Sequence, residues 1–345
     1  MDAASRTSRV LPFLIILCFA LPFFGFSQYT EVINSNRPGL SVSAYAVGTG
    51  VVQIETGLLY EQRDHTDLSW ESTIMGADLA LRYGFFKEQL EVIYEGTYIQ
   101  QDITFTAFDL NEKRSDFSRN RLGIKYLLYD PFKNPDRTKP NLYSWRANNK
   151  FQLRDLVPAV SVYAGATFNL GDNPFYPEDP IVAPRAMVAT QSSLGPRLVL
   201  ISNLIYDRIG TDFPEMEYLV SISHAFKNPK WSVFVENQGI KSDRYSDILL
   251  RTGIAHLFSK SFQADFNIGA SIKSTPSRMF GSLGFSYRLD FHQDQVISID
   301  DQKAGQNGDF IKRNAFKDDS DTKLPGISEK KMRKLQRKAK KRKKN

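Results

Sequence analysis

Ser282-Leu-Gly-Phe-Ser-Tyr-Arg-Leu-Asp-Phe291 alternates apolar and polar residues without a break. Leu283, Phe285, Tyr287, Leu289 and Phe291 fall on one side, and Ser282, Gly284, Ser286, Arg288 and Asp290 on the other. Successive side chains of a pleated strand point to opposite faces, so this segment has one oily face and one wet face. The oily face is rich in aromatic residues and suggests lipid, with Tyr287 and Phe291 placed where an interfacial girdle sits. A single half-buried strand also alternates, so the reading depends on how often the pattern recurs.

It recurs through the body of the chain. Val52, Ile54, Thr56, Leu58 and Tyr60 oppose Gln53, Glu55 and Gly57, and Ala77, Leu79, Leu81 and Tyr83 oppose Asp78, Ala80 and Arg82. Leu90, Val92, Tyr94, Gly96 and Tyr98 oppose Glu91, Ile93, Glu95 and Thr97, and Leu122, Ile124, Tyr126 and Leu128 oppose Arg121, Gly123 and Lys125. Further segments are 158–168, 185–193, 198–206, 218–226, 231–236, 248–258 and 261–271. With the final strand this makes about twelve, each near the roughly 9 to 11 residues a tilted membrane strand needs. The expected fold is all-β, a transmembrane antiparallel up-and-down β-barrel over 51–291. Ser282, Gly284, Tyr287, Leu289 and Phe291 also resemble the closing-strand signal of bacterial outer-membrane barrels, which implies the barrel assembly machinery and outer-membrane lipid as partners.

Tight turns are expected at 85–88, 194–196, 227–230 and 258–260, each after an even-numbered strand. The connections 61–73, 100–118 and 169–184 read as longer polar loops on the opposite side. The stretch 130–157 is long on the short-turn side, with Pro131, Pro135 and Pro140, and 143–155 reads as a short interfacial helix. An even strand number puts both termini in the periplasm. A soluble β-sandwich or propeller has similar strands. Against it stand ionised residues at strand centres, which a pore would line.

Ahead of the barrel, 1–27 reads as a secretory signal. Arg6 and Arg9 precede an apolar stretch from Val10 to Phe24, and Gly25-Phe26-Ser27 suits cleavage before Gln28. Cys18 is the only cysteine and lies inside this segment, so the mature chain has neither a disulfide nor a thiolate metal site. No later stretch approaches the roughly 18 to 20 apolar residues of a membrane helix. Mean hydropathy of −0.35 does not count against a barrel, because spanning strands spend half their residues on a polar interior. The segment 28–50, rich in Ser and Gly, is expected to be periplasmic or to fold into the lumen as a constriction.

The formal charge of +7 is concentrated at one end. Residues 329–345 hold 11 Lys or Arg and one Glu, and without them the chain carries −3. The tail 292–345 lacks the apolar content for a core and reads as a disordered periplasmic extension ending in a basic block. Its expected partner is an anionic envelope component, and the signal peptide argues against nucleic acid.

Asn34-Ser-Asn-Arg-Pro-Gly-Leu-Ser41, Val47-Gly-Thr-Gly50 and Val52-Gln-Ile-Glu-Thr-Gly57 together resemble the opening of a bacterial family named for the meta-cleavage pathway of phenol degradation. Its members typically begin with an Arg-Pro element and a first strand with a Gln-x-Glu-x-Gly core. The matching positions are Arg37, Pro38, Gln53, Glu55 and Gly57, while the acidic residue common after Arg-Pro is Gly39 here. The resemblance implies an outer-membrane barrel passing small aromatic or hydrophobic compounds.

The wet faces hold the remaining chemistry. Glu55, Asp78, Arg82, Glu91, Glu95, Arg121 and Lys125 come from the first four strands. Glu236, Arg251, Asp265, Asn267, Arg288 and Asp290 come from the last four. A basic residue facing lipid near the midplane costs about 2–4 kcal/mol, so these groups are expected to face the lumen. There they either line a selective aqueous path or pair and plug a narrow barrel. His65, His224, His256 and His292 show no ligand spacing, and no Gly-x-Ser-x-Gly elbow is present. An outer-membrane phospholipase is the enzyme alternative, but neither His224 nor His256 is followed by the Ser and Asn its catalytic motif needs. No enzyme, metal or cofactor is expected. The leading reading is passive passage or binding of small solutes, and the rival is a structural barrel anchored through its basic tail.

Overall fold

The computed structural model describes residues 32–292 except 108, 134–141, 145–152 and 196. Twelve antiparallel strands form one closed barrel in simple sequence order. They are β1 (Val51–His65), β2 (Trp70–Gly84), β3 (Leu90–Phe105), β4 (Leu110–Tyr129), β5 (Ala159–Phe168) and β6 (Val182–Ser193). There follow β7 (Leu198–Asp207), β8 (Glu215–Ala225), β9 (Trp231–Ser242), β10 (Ser246–Ser259), β11 (Phe262–Ser271) and β12 (Ser277–Asp290). The final strand closes the sheet on the first, in register from Val51 opposite Asp290 to Asp64 opposite Ser277. Closure leaves no edge, which is the condition for β-structure to span a bilayer, where unpaired backbone groups find no water.

The alternation sorts residues as the sequence predicts. Leu58, Leu79, Leu81, Tyr83, Leu122, Ile124, Leu204, Val235, Phe266, Leu283 and Tyr287 all point outward and are exposed. The strand positions between them point inward and are mostly buried. An exterior this apolar, around a polar interior, is the surface of a membrane barrel. Phe262, Phe285 and Tyr287 form an aromatic cluster at the end where β12 finishes, hereafter the terminal end.

Three expectations about connections are corrected. Most of 61–73 and 100–118 is strand: β1 and β2 are joined across 66–69, and β3 and β4 across 106–109. The missed strand carries polar residues on both faces, so it shows no alternation, yet the hairpin pairs in register, with Asp102 opposite Lys113. Tight turns therefore occur at both ends of the barrel. Of the helix expected at 143–155, the described residues show one 3-10 turn, Leu153–Leu156.

Chain also passes through the barrel's interior. Residues 32–50 precede β1 and form no strand. Val42 packs in an apolar cluster with Ile93, Tyr163, Met187, Ile205 and Leu219, inward residues of β3, β5, β6, β7 and β8. Ala44 packs with Leu127 and Ala159. Only the lumen adjoins all of these strands.

Candidate functional site

A strandless segment inside a barrel must satisfy its backbone N–H and C=O groups from the wall, since an unpaired buried group costs about as much as a lost hydrogen bond. The inward side chains supply those partners. Glu55 accepts from the Asn36 N–H at 3.2 Å, and Glu236 accepts from Leu40 at 3.1 Å and Ser41 at 2.9 Å. Asn203 makes a two-way bond with Val42, accepting from its N–H at 2.7 Å and donating to its carbonyl at 2.9 Å. Glu91 accepts from Val47 at 2.9 Å. The segment's carbonyls are held in turn: Asn34 by Gln53 and Arg82, Ser43 and Tyr45 by Lys125, Pro38 by Asn267, and Val32 by Arg288.

Arg37 is the segment's most heavily engaged side chain. Its Nε donates to Asp265 of β11 at 3.2 and 3.3 Å, one Nη pairs with Asp78 of β2, and the other reaches Ser282 of β12 at 3.3 Å. Beneath the guanidinium lie Gly57 and Gly284, which face each other across the β1–β12 seam. A Cβ at either position would overlap the guanidinium itself. The two halves of the family-like opening are thus one contact. Gln53, Glu55 and Gly57 form the wall on which Asn34, Asn36 and Arg37 rest.

Most of the other lumenal charges are paired. Glu91 sits between Arg82, at 3.1 Å, and Lys125, at 2.7 Å, with all three side chains fully buried. Arg82 also lies 3.5 Å from Glu55. Arg251 pairs with Glu236 and donates to Gln238 at 3.3 Å. Arg121 lies 3.8 Å from Glu95, which is only partly buried, and 2.7 Å from Asp207. Asp207 takes a second guanidinium, Arg185, also at 2.7 Å. Arg288 lies 3.4 Å from Asp290. Asp290, expected to line the lumen, instead ends β12 at the rim and is exposed. Outside the strands, the Tyr45 hydroxyl donates to Asp130 at 3.3 Å. Burial, with the Asp130 carboxylate beside it, raises this hydroxyl well above the ordinary tyrosine range, so it keeps its proton.

The sequence reading did not single out Asn203, Gln191, Arg185 or Asp207. A polar Asn203 among apolar residues at the inward positions of β7 is the available signal. Gln191 accepts from the Ser43 hydroxyl at 2.7 Å. The closing-strand residues occupy the β12 face pattern expected of them: Tyr287 and Phe291 are exposed, Gly284 is buried, and Ser282 bonds Arg37 and Asn267.

The histidines are placed for packing. His256 meets Trp231 edge-on at 4.1 Å and stacks with Phe258 at 4.5 Å, His224 neighbours Phe226, and His65 neighbours Trp70. His292 contacts the Thr49 carbonyl at 2.9 Å. Among the described residues no cluster of His, Cys, Asp or Glu is arranged to hold a metal. The arrangement is a chain segment held in the lumen by polar side-chain contacts to β1, β2, β3, β4, β6, β7, β9, β11 and β12, and by apolar packing that adds β5 and β8.

The model of a family described as "Putative MetA-pathway of phenol degradation" matches residues 35–289. No curated protein matches the chain. Among solved structures, an outer membrane channel from Pseudomonas putida F1 is similar at 10% identity and a TM-score of 0.48, over 74% of this chain and 100% of that one. The translocator domain of the autotransporter NalP from Neisseria meningitidis is similar at 10% identity and 0.42, over 70% and 89%. The CymD monoaromatic hydrocarbon channel is similar at 8% identity and 0.38, over 71% and 90%. None of these structural likenesses transfers an activity.

Proposed function

This chain belongs to the family of the MetA pathway of phenol degradation, and we propose that it is an outer-membrane channel for passive passage of small solutes, closed by its own residues 32–47. One observation carries this reading. The segment is held almost wholly by wall side chains, while the sheet's ladder runs unbroken around it. Removing the segment breaks no bond between strands. It would leave a lumen lined by Glu55, Asp78, Glu91, Glu236 and Asp265 interspersed with Arg82, Arg121, Lys125 and Arg251, whose charges set selectivity.

The aromatic or hydrophobic character of the solute is supported by the family's description alone. Our reading has both termini in the periplasm; the signal-like residues 1–27 and the even strand number support it. Gly50 and Phe291 lie at one end of the barrel, joined by a 3.1 Å backbone bond. No hydrolytic role is assigned: His65, His224 and His256 lie against aromatic rings, and His292 contacts the Thr49 carbonyl.

The density of buried ion pairs also favours a rival, a permanently closed structural barrel. Planar-bilayer recordings separate the two. The full chain is expected to conduct rarely, and a chain lacking 32–47 to conduct steadily. If neither conducts, and neither passes small solutes into liposomes, the channel reading is wrong.

A further inference from the structure

We propose that the slot filled by Arg37 is a binding site for the cationic group of a solute, a guanidinium or a primary amine, and that Arg37 occupies it in the solute's absence. The inference rests on the channel reading for its role in passage, while the pocket stands on its own geometry. Both Asp265 carboxylate oxygens accept from the guanidinium's Nε, at 3.2 and 3.3 Å. Asp78 takes one terminal nitrogen from across the seam, and the Ser282 hydroxyl accepts from the other at 3.3 Å, so each of the three nitrogens has its own wall partner. Planar, multidentate recognition of this kind suits a guanidinium far better than a spherical cation.

The floor supports the same class of ligand. Gly57 and Gly284 lie opposite each other, and any side chain there would fill the space the guanidinium takes. Two bare strands side by side make a shallow, flat depression between two carboxylates. All five wall residues belong to β1, β2, β11 and β12, so the slot is built by the barrel and not by the segment that fills it. Among the described residues, Arg37 is the one ion-pair partner of both Asp78 and Asp265. Arg119 is within electrostatic reach of Asp78 without pairing to it. When the segment withdraws, two carboxylates are left facing the lumen with no paired cation. That charge is costly to leave uncompensated, which favours entry of a solute cation in place of Arg37.

The test uses the full chain carrying Arg37→Ala, in planar bilayers and in detergent melts. Methylguanidinium is added in the millimolar range, with tetramethylammonium at equal ionic strength as the control. At about ten times its dissociation constant a ligand leaves roughly one site in eleven vacant. Methylguanidinium is then expected to suppress most of the variant's added conductance and to raise its melting temperature by roughly 2–4 °C. Tetramethylammonium should do neither, and adding Asp265→Asn to the variant should abolish the response. If the variant assembles poorly, methylguanidinium during refolding should increase the folded, heat-modifiable fraction. Equal responses to both cations, or no response in melting and refolding, overturn the proposal. A melting response without conductance from any variant would keep the slot and defeat the channel reading instead.

Discussion

The Arg37 guanidinium lies directly against Gly284, in the volume that any larger residue's Cβ would take, although the two are 247 positions apart in the chain. Gly284 therefore does more than continue a strand: its missing side chain is the seat of the segment that closes the lumen. Overpacking of a tight contact costs about 1–3 kcal/mol. Gly284→Ala is expected to lift Arg37 from Asp265 and Asp78 and raise open probability by about tenfold or more. Single-channel recording reads this, and an unchanged open probability would show that the seat does not control closure.

Ser35 and Ser286 supply a covalent test of the same segment. Their hydroxyl oxygens are 2.7 Å apart, one on the lumenal segment and one on β12. The sole natural cysteine, Cys18, lies in the signal-like region, so a Ser35→Cys, Ser286→Cys pair introduces the only thiols in the body of the chain. Oxidation should cross-link them, lower solute flux to the bilayer background, and be reversed by a reductant. Flux that persists in a fully cross-linked sample would mean that solutes pass without the segment moving.

Much of this architecture is legible in the sequence, and the gaps have physical causes. Twelve strands follow from alternation, because lipid outside and water or polar chain inside impose a period of two. Alternation fails where β1 to β4 run beyond the apolar band. There both faces are polar, and residues such as Arg63, Lys113 and Arg114 read as loop although they sit in paired strands. The lumenal carboxylates and arginines could be named as inward-facing, but not matched. Arg37 and Asp265 are partners from opposite ends of the barrel sequence, and no local pattern encodes that pairing. Asp207 and Arg185 lie at strand ends, where a reading by period stops early. The Arg-Pro and Gln-x-Glu-x-Gly elements were visible as words, and the structure gives their shared meaning as a contact.

The lipid face makes a depth-dependent prediction. Leu283 pairs with Leu58 across the seam, and both are exposed on the apolar band. Tyr287 lies four residues nearer the terminal end, among Phe262 and Phe285. Arginine at the midplane of such a barrel costs about 2–4 kcal/mol, and about 0–1 near the interface. Leu283→Arg should therefore lower urea stability in lipid vesicles much more than Tyr287→Arg. Equal costs would remove the placement of the band on β12.

For the basic block 330–344, which lies outside the described residues, sequence supports binding to an anionic envelope component by charge alone. Exposed charges are screened over about 8 Å at physiological ionic strength, and each Lys or Arg near an anionic membrane contributes about 1 kcal/mol. Affinity for anionic vesicles should fall steeply with salt, survive shuffling of Lys and Arg order, and drop well over tenfold when half the block is deleted. Salt-insensitive binding would point to a shaped recognition motif.

Glu91 offers the sharpest test of how the lumen is held together. Its carboxylate is wholly buried, 3.1 Å from Arg82 and 2.7 Å from Lys125, and it accepts the Val47 N–H at 2.9 Å. Both cations also hold carbonyls of the lumenal segment, Arg82 that of Asn34 and Lys125 those of Ser43 and Tyr45. One anion thus compensates two cations that together fix the closing segment. Breaking a buried pair by removing one partner costs about 3–5 kcal/mol, because the other charge stays desolvated. Glu91→Gln keeps the shape and the hydrogen-bonding reach but strips Lys125 of its ion-pair partner and leaves Arg82 only Glu55, at 3.5 Å. It should lower the unfolding midpoint by an amount in that range and loosen the segment, seen as faster proteolysis near Tyr45. Adding Lys125→Met should recover part of the loss, since it removes the stranded charge. If Glu91→Gln is neutral, the three groups are hydrated rather than buried against the segment, and the lumen at this level is open to water.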